Sequence, residues 1–431
     1  MSVSGYNEYM KMFTTSLLLL YVFITQSGYS RELFFKQSFG KNSAVLLADA
    51  QGEIIYQWQI DKMLMPASTL KILTAQLSLD KWGAEHRFAT DFYWLDGWLW
   101  VKGYGDPYLI AEELDRVVRV LQPKLAKLLT DGVLRGIAID GSYFAETQID
   151  GRTTVNDPYN APLSAVAANF NTVYITKQGA QIRSAEAQTP LTETAKLLAQ
   201  PLSNGKHRVN VGSAQIGQQQ FAQILRAKLL QKKEDATLPH FDVASAMRFA
   251  STPASAQLLY RHYNSHSLAT LLRGTLTYSN NFIANQLFVL LAESEELSTL
   301  DVRLAKQALQ QQLGQRYGVG VSASNIEGEM LDWSSVLLEE GAGLSRKNRL
   351  SARHLWQVLH DFAPHKGLLK SYHAGQVRAK TGTLQGVRSY AGYITVDSLL
   401  YYFVFLFNEP VPYRYREQLL QTTLNKLKQR P

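Results

Sequence analysis

With 431 residues, 46% apolar and 19% charged, the chain is long enough for more than one domain and is far from a disordered composition. Its formal charge of +8 is spread without a run of five or six basic residues, which argues against nucleic-acid binding and leaves loose attraction to an anionic polymer or membrane surface open. The absence of cysteine excludes a disulfide framework and a lipid-modified cysteine.

Taken in order, the chain opens on an export pattern. Lys11 precedes an apolar core of about thirteen residues, Met12 to Ile24, which is short for a spanning helix and is followed by small polar residues to Ser30. Residues 1–30 read as a signal peptide directing the protein to the periplasm. The pattern is tidier from Met10, and the lack of an Ala-x-Ala site leaves an uncleaved anchor open.

Ser43–Ala48 and Ile54–Trp58 read as strands joined by an Asp49-Ala50-Gln51-Gly52 turn. The hairpin leads into Met65-Pro66-Ala67-Ser68-Thr69-Leu70-Lys71 and a run of apolar residues at helical spacing. Residues three apart share a helix face, which puts Lys71 Nζ beside Ser68 Oγ at a helix start, and an amine of depressed pKa there can activate the hydroxyl. The spacing alone is unspecific, because Ser38/Lys41, Ser78/Lys81 and Ser203/Lys206 match it too. A serine at a helix start is also an ordinary cap.

From Phe88 the texture changes. Phe92–Trp94 and Trp98–Val101 flank Asp96-Gly97 as a second hairpin, a helical stripe follows from Leu114 to Leu128 with Pro123 as a break or kink, and Val133–Ile139 resumes a strand. Residues 88–240 read as inserted, non-catalytic structure. Helical periodicity returns over Ala256–Leu276 and Asn281–Leu291. Gln376–Gly382, Gly386–Val396 and Leu399–Asn408 are strand-like, and Tyr413–Lys428 closes the chain as an amphipathic helix.

Two further motifs single out Ser68. Lys380-Thr381-Gly382-Thr383 holds the sole Lys-Thr-Gly, where a given tripeptide of common residues is expected on the order of 0.1 times in a chain this long. Ser279-Asn280-Asn281 sits at a junction of two helical runs. Ser-x-x-Lys, Ser-x-Asn and Lys-Thr-Gly in that order accompany serine acyl transfer on β-lactams and D-alanyl peptides. Physically, Ser68 attacks an amide carbonyl and Lys71 takes its proton, Lys380 supplies positive charge and holds a carboxylate, Ser279 relays a proton, and Asn281 holds the substrate amide and Lys71. The N–H groups of Ser68 and Thr383 form the oxyanion hole. The register stays open, because Tyr278-Ser279-Asn280 also spells the Tyr-x-Asn variant.

With these motifs the chain resembles the class C low-molecular-mass penicillin-binding proteins, the D-alanyl-D-alanine carboxypeptidase/endopeptidases. Gly105-Asp106-Pro107, Asp140–Phe144, Asn160–Leu163, Asn169–Asn171 and Gly341-Ala342-Gly343-Leu344-Ser345-Arg346 are similar to that family's landmarks. So is the stretch of roughly 200 residues between Ser68 and Ser279. The resemblance implies an α/β (α+β) fold of the penicillin-binding/β-lactamase type. A five-stranded antiparallel sheet is flanked by helices, with residues 31–87 and 241–431 forming the peptidase domain and 88–240 a mostly β insertion. It implies peptidoglycan stem peptides as substrate, β-lactams as acylating inhibitors, no cofactor, and Asp157, Arg346, Gln385, Thr381, Gly382 and Thr383 as substrate-binding residues. Three features depart from the family: Ala342 replaces a serine, Asn285 stands where glutamate is usual, and the segment from Arg346 to Lys380 is short. A catalytically silent murein-binding module, or a β-lactamase or esterase, is the alternative function.

Overall fold

The computed structural model describes residues 34–35, 38–145, 148–231, 240–318 and 331–430. The export pattern at residues 1–30 lies outside them. The chain begins with the expected hairpin, β1 (Ser43–Asp49) and β2 (Ile54–Trp58), and enters α1 (Lys71–Trp82) through a 3-10 turn over Ala67–Leu70. A second body follows: β3 (Ala89–Leu95), β4 (Trp98–Gly103), α2 (Ala111–Leu128), β5 (Val133–Leu134), β6 (Gly136–Asp140), β7 (Thr172–Gln178), β8 (Gln181–Ser184), α3 (Glu193–Ala199), β9 (Gly205–Asn210), α4 (Ala214–Leu229), β10 (Asp242–Val243), β11 (Met247–Phe249) and β12 (Gln257–Tyr263). The chain then returns with α5 (Leu268–Tyr278), α6 (Asn281–Leu290), α7 (Val302–Tyr317), α8 (Ala352–Phe362), β13 (Lys370–Tyr372), β14 (Val377–Leu384), β15 (Val387–Val396), β16 (Leu399–Phe407) and α9 (Tyr415–Leu427).

The main sheet runs β13-β14-β15-β16-β1-β2, antiparallel throughout, so the first and last parts of the chain pair with each other. Alternation decides what covers each face. Val45 and Leu47 of β1 pack with Phe403, Phe405 and the α9 residues Leu419, Leu420 and Leu424, whereas Ala44 and Leu46 face the helices α1, α6 and α8. The sheet has six strands rather than the five expected. Lys370–Tyr372 adds a short edge that pairs with residues 377–379 of β14, and three polar or aromatic residues carry no alternation by which to read it.

The second sheet runs β11-β6-β4-β3-β12, with α2 and α4 over one core, and β8-β7-β9 forms a smaller sheet beside α3. Two expectations change here. The helical reading of Ala256–Leu276 covers a strand and a separate helix. Arg261 makes two 2.7 Å bonds to buried Asp91 on β3, and its neighbour His262 meets buried Glu113 on α2 at 2.9 Å. Adjacent residues reach opposite faces only in an extended chain, so these partners override the periodicity and carry this sheet beyond residue 240. The helix α2, in turn, runs through Pro123. Burial of Leu114, Val117, Val118, Leu121 and Leu125 offsets a proline cost of about 3 kcal/mol.

The two bodies are joined at α6, every residue of which is buried. Gln286, fully buried on that helix, donates to the carbonyls of Gly105 (3.1 Å) and Ser164 (3.0 Å) and accepts from Ser164 N (3.3 Å). Asn264 likewise ties the exit of β12 to Asp106 through a 2.9 Å bond. Replacing Gln286 by alanine strands three buried backbone groups, so we expect a loss of at least about 2 kcal/mol. Urea denaturation checks this. A lower midpoint at constant slope is expected, and an unchanged midpoint would show that other contacts hold the junction.

Candidate active site

Ser68 is presented by a tight elbow. The segment before it is pinned from both sides: Asn408 holds Met65 N (2.7 Å) and Met65 O (3.0 Å), and the Ser389 hydroxyl donates to Pro66 O at 2.6 Å. Ala67 then adopts φ 48°, a left-handed conformation that a non-glycine residue holds only under surrounding constraint. Two glycines make room for the elbow. A Cβ at Gly343 would lie 1.9 Å from Ala67 O, and one at Gly382 would lie 2.7 Å from Ser68 N.

The turn passes into α1, and Lys71, only 1% exposed, is its first residue. Its Nζ is 3.1 Å from Ser68 Oγ, 2.8 Å from Asn281 Oδ1 and 2.7 Å from the Ala342 carbonyl. Burial pushes the Lys71 amine well below the ordinary lysine range, and the charge of Lys380 pushes it further, against an opposing pull from Glu340. Lys380, on β14, is itself buried. Burial, then Arg416 and Lys370, lowers its amine to about 7, and its Nζ donates to Thr381 O at 2.8 Å.

Between α5 and α6 the chain reverses at Ser279, φ 59°. Asn280 is used as the cap of α6, accepting from Ile283 N at 3.0 Å, while Tyr278 is 81% exposed. The structure therefore turns Asn281, not Asn280, to Lys71. Asn281 also donates from Nδ2 to Tyr159 O at 3.2 Å, which fixes the orientation of its amide. Among the described residues the Ser279 hydroxyl makes no hydrogen bond to Ser68, Lys71 or Lys380.

A sequence profile of the D-Ala-D-Ala carboxypeptidase 3 (S13) family matches residues 34–222, 208–373 and 366–426. The chain belongs to this family. It is the group of class C low-molecular-mass penicillin-binding proteins that the motifs resemble. A D-alanyl-D-alanine carboxypeptidase of Actinomadura sp. (strain R39) is 32% identical over 142 residues, 30% of this chain and 25% of that relative, so the match spans a quarter of the relative's length. The fold is similar to that of penicillin binding protein 4 (dacB) from Haemophilus influenzae, with a TM-score of 0.67 at 20% identity over 90% of this chain and 97% of that one. The same protein complexed with a β-lactam gives 0.61 at 20% identity over 91% and 97%. A predatory endopeptidase from Bdellovibrio bacteriovorus gives 0.51 at 14% identity over 90% and 92%.

Against this S13 frame, the remaining expected residues fall in two groups. Arg346 and Gln385 meet, through a 2.9 Å bond from Arg346 Nη2 to Gln385 O, and both are exposed. Asp157 is not joined to them. Its carboxylate caps a 3-10 turn, accepting from Tyr159 N (2.9 Å) and Asn160 Nδ2 (3.1 Å), and so supports the Tyr159 carbonyl that holds Asn281.

Sequence reasoning missed two residues. Glu340 is buried and accepts from the backbone N–H groups of Ala342, Gly343, Leu344 and Ser345 and from Asn348 Nδ2. It thereby aims the Ala342 carbonyl at Lys71, and the departure from serine at 342 leaves that backbone role intact. Arg416, on α9, donates to Gly382 O (2.7 Å), Thr383 Oγ1 (3.1 Å) and Ser389 O (3.3 Å). A charged residue on an amphipathic terminal helix carries no motif, and one glutamate of an adjacent pair carries none either. Glu340→Gln sets an NH2 group against N–H donors. We expect it to destabilise the protein by about 1–3 kcal/mol, read by denaturant titration, with no loss expected only if the loop is held independently.

Proposed function

We propose that this protein is a serine DD-peptidase that cleaves peptidoglycan stem peptides through an acyl-enzyme on Ser68. The bond cleaved is D-Ala-D-Ala as a carboxypeptidase, or D-Ala to a diamino acid as an endopeptidase. The observation that carries the reading is the Lys71 amine 3.1 Å from Ser68 Oγ, lowered by its burial and then by the charge of Lys380. Family membership supports it as well.

A neutral lysine amine has two N–H bonds and one lone pair. The Asn281 and Ala342 oxygens take the N–H bonds, which leaves the lone pair to Ser68. Ser68 Oγ then attacks the scissile carbonyl carbon as its proton passes to Lys71. The carbonyl oxygen becomes an oxyanion held by the N–H groups of Ser68 and Thr383. Collapse breaks the C–N bond, and the proton that Lys71 received passes through Ser279 to the leaving amine, which returns Lys71 to its neutral form. Water, deprotonated by Lys71, then attacks the acyl carbon, and as the C–O bond to Ser68 breaks Lys71 gives that proton back to Oγ. Asn281 would hold the substrate amide, Lys380 and Thr381 its carboxylate, and Gly382 admits the chain to the elbow. Asp157, Arg346 and Gln385 would receive the diamino-acid side chain, a carboxylate and a guanidinium matching a zwitterion. The same attack on a β-lactam ring gives a stable acyl-enzyme. The export pattern suits a periplasmic site of action.

Fluorescent penicillin is expected to label the protein covalently, and Ser68→Ala to abolish the label. Absence of labelling in the wild type would instead indicate a silent murein-binding module, and rapid turnover of the label a β-lactamase.

The pH profile follows from two lowered amines. Protonation of Lys71 on the acid side removes the base, and deprotonation of Lys380 on the alkaline side removes the carboxylate-binding charge. We expect kcat/KM on a D-Ala-D-Ala peptide to fall above an apparent midpoint near 7. Lys380→Arg should remove that alkaline limb, and a limb that persists in this variant belongs to another group.

A further inference from the structure

Where the insertion meets α5 and α6, a cavity of about 410 Å³ opens beside Asn281. Its walls are mostly rings and aliphatic groups, among them Tyr108, Ile110, Tyr159, Phe170, Tyr278 and Ile283. Tyr108 and Phe170 pack edge to face at 5.5 Å, and Phe170 rests in turn against Phe282 of α6 at 6.3 Å. Those two rings are fixed from behind. Tyr159 and Tyr278 line the same cavity while 60% and 81% exposed, which places them at its mouth. Two large rings left this open beside one recess are apolar surface awaiting a partner, the pattern of a ligand site at a domain junction.

The polar groups narrow the ligand. Among the described lining residues Glu112, Glu186 and Arg208 carry charge. Arg208 pairs with Glu186, donates to Thr172 Oγ1 at 3.1 Å and lies 4.6 Å over the Tyr174 ring, so the small sheet holds that pair as a neutral unit. Glu112 remains, and it disfavours an anion. Burial, and then Glu112 and Tyr278, raises the Tyr108 hydroxyl, which therefore keeps its proton as a donor. Asn280 spends its Oδ1 on the cap of α6, and its Nδ2 makes no hydrogen bond among the described residues. Ring faces, a carboxylate acceptor and a few neutral donors suit an uncharged ligand with hydroxyl groups and one apolar face.

We propose that this recess is a glycan subsite, which takes an N-acetylated amino sugar of the murein strand whose stem peptide is cleaved. The inference rests on the peptidase reading and adds a sugar-binding side to it. The C–H face of the pyranose ring lies on Tyr278 and Tyr159, its hydroxyls donate to Glu112 and Gln188, and its N-acetyl carbonyl accepts from Asn280 Nδ2. The covalent structure of the substrate selects this occupant. The sugar is joined to the scissile bond through four residues, a reach of about 14 Å. A cavity bounded by Asn281, whose Oδ1 accepts from Lys71 Nζ at 2.8 Å, begins well inside that reach. With the diamino-acid zwitterion received at Arg346 and Gln385, the uncharged end of the acyl part is left for the α5 side.

The test compares kcat/KM for a cross-linked tetrapeptide dimer that bears its disaccharides and for the same dimer freed of them by an amidase. The wild type should prefer the sugar-bearing dimer by about tenfold. Tyr278→Ala/Glu112→Gln should bring the ratio near unity, and Tyr278→Phe, which keeps the ring, should preserve most of it. A merely structural role would slow both dimers equally and leave the ratio standing, which would overturn the proposal. A second measurement needs no turnover: N,N′-diacetylchitobiose, an uncharged N-acetylated disaccharide, should give saturation-transfer NMR signals with the wild type and lose them with the double variant. Binding of 1,5-diaminopentane in its place would assign the recess to a cation and overturn the proposal. Equal cleavage of both dimers by the wild type overturns the subsite and leaves the peptidase reading intact. Disaccharide binding without cleavage of either dimer overturns the peptidase reading and leaves the sugar site.

Discussion

The structure turns on one buried nitrogen. An ammonium group placed where Lys71 sits, 1% exposed, would cost several kcal/mol to desolvate. Burial, and after it the charge of Lys380, lowers the Lys71 amine, and a neutral amine there is what the proposed acyl transfer asks of its base. The three oxygens around it come from distant parts of the chain: Ser68 from the elbow after β2, Asn281 from the head of α6, and Ala342 from the loop cradled by Glu340. The contacts to Asn281 and Ala342 join residues 210 and 271 positions apart and need the folded chain to bring those segments together. The chemistry therefore depends on the long-range pairing of β1 with β16 as much as on any local motif.

The insertion shares in the same arrangement rather than hanging from it. Asn281 is held on one side by Lys71 and on the other by the Tyr159 carbonyl, and the turn bearing Tyr159 is capped by Asp157. Gln286, a little over one turn farther along α6, fixes the strand exits at Gly105 and Ser164. One helix thus carries the amide that holds Lys71 at its start and the junction between the two bodies behind it. A disturbance of the insertion reaches Lys71 through two hydrogen bonds.

How far this was legible in the sequence follows from the range of each interaction. The Ser68–Lys71 pair is local, three residues on one turn, and was readable once the later motifs singled it out from its decoys. The choice between Asn280 and Asn281 was not, because two asparagines at a helix start are equivalent in pattern. The left-handed turn at Ser279 decides between them, making one the cap and the other the ligand. The strand at Gln257–Tyr263 was hidden because Leu258, Leu259 and their neighbours suit a helix equally well, and only Asp91 and Glu113, about 150 residues upstream or more, distinguish the two. The edge strand at Lys370–Tyr372 was too short to show any period.

Charge is what remains least visible in sequence and most ordered in space. Arg416 stands behind β14, one step from Lys380, and contributes to lowering its amine; Lys380 in turn contributes to lowering that of Lys71. In each case burial is the larger cause and the neighbouring cation adds to it. Glu340 opposes at the last step. In the reaction proposed above, a substrate carboxylate would meet Lys380. It would favour the protonated form of Lys380 and hold that cation in place beside Lys71. Binding of the anion and readiness of the base would then be linked, because the positive charge needed for one adds to burial in lowering the other.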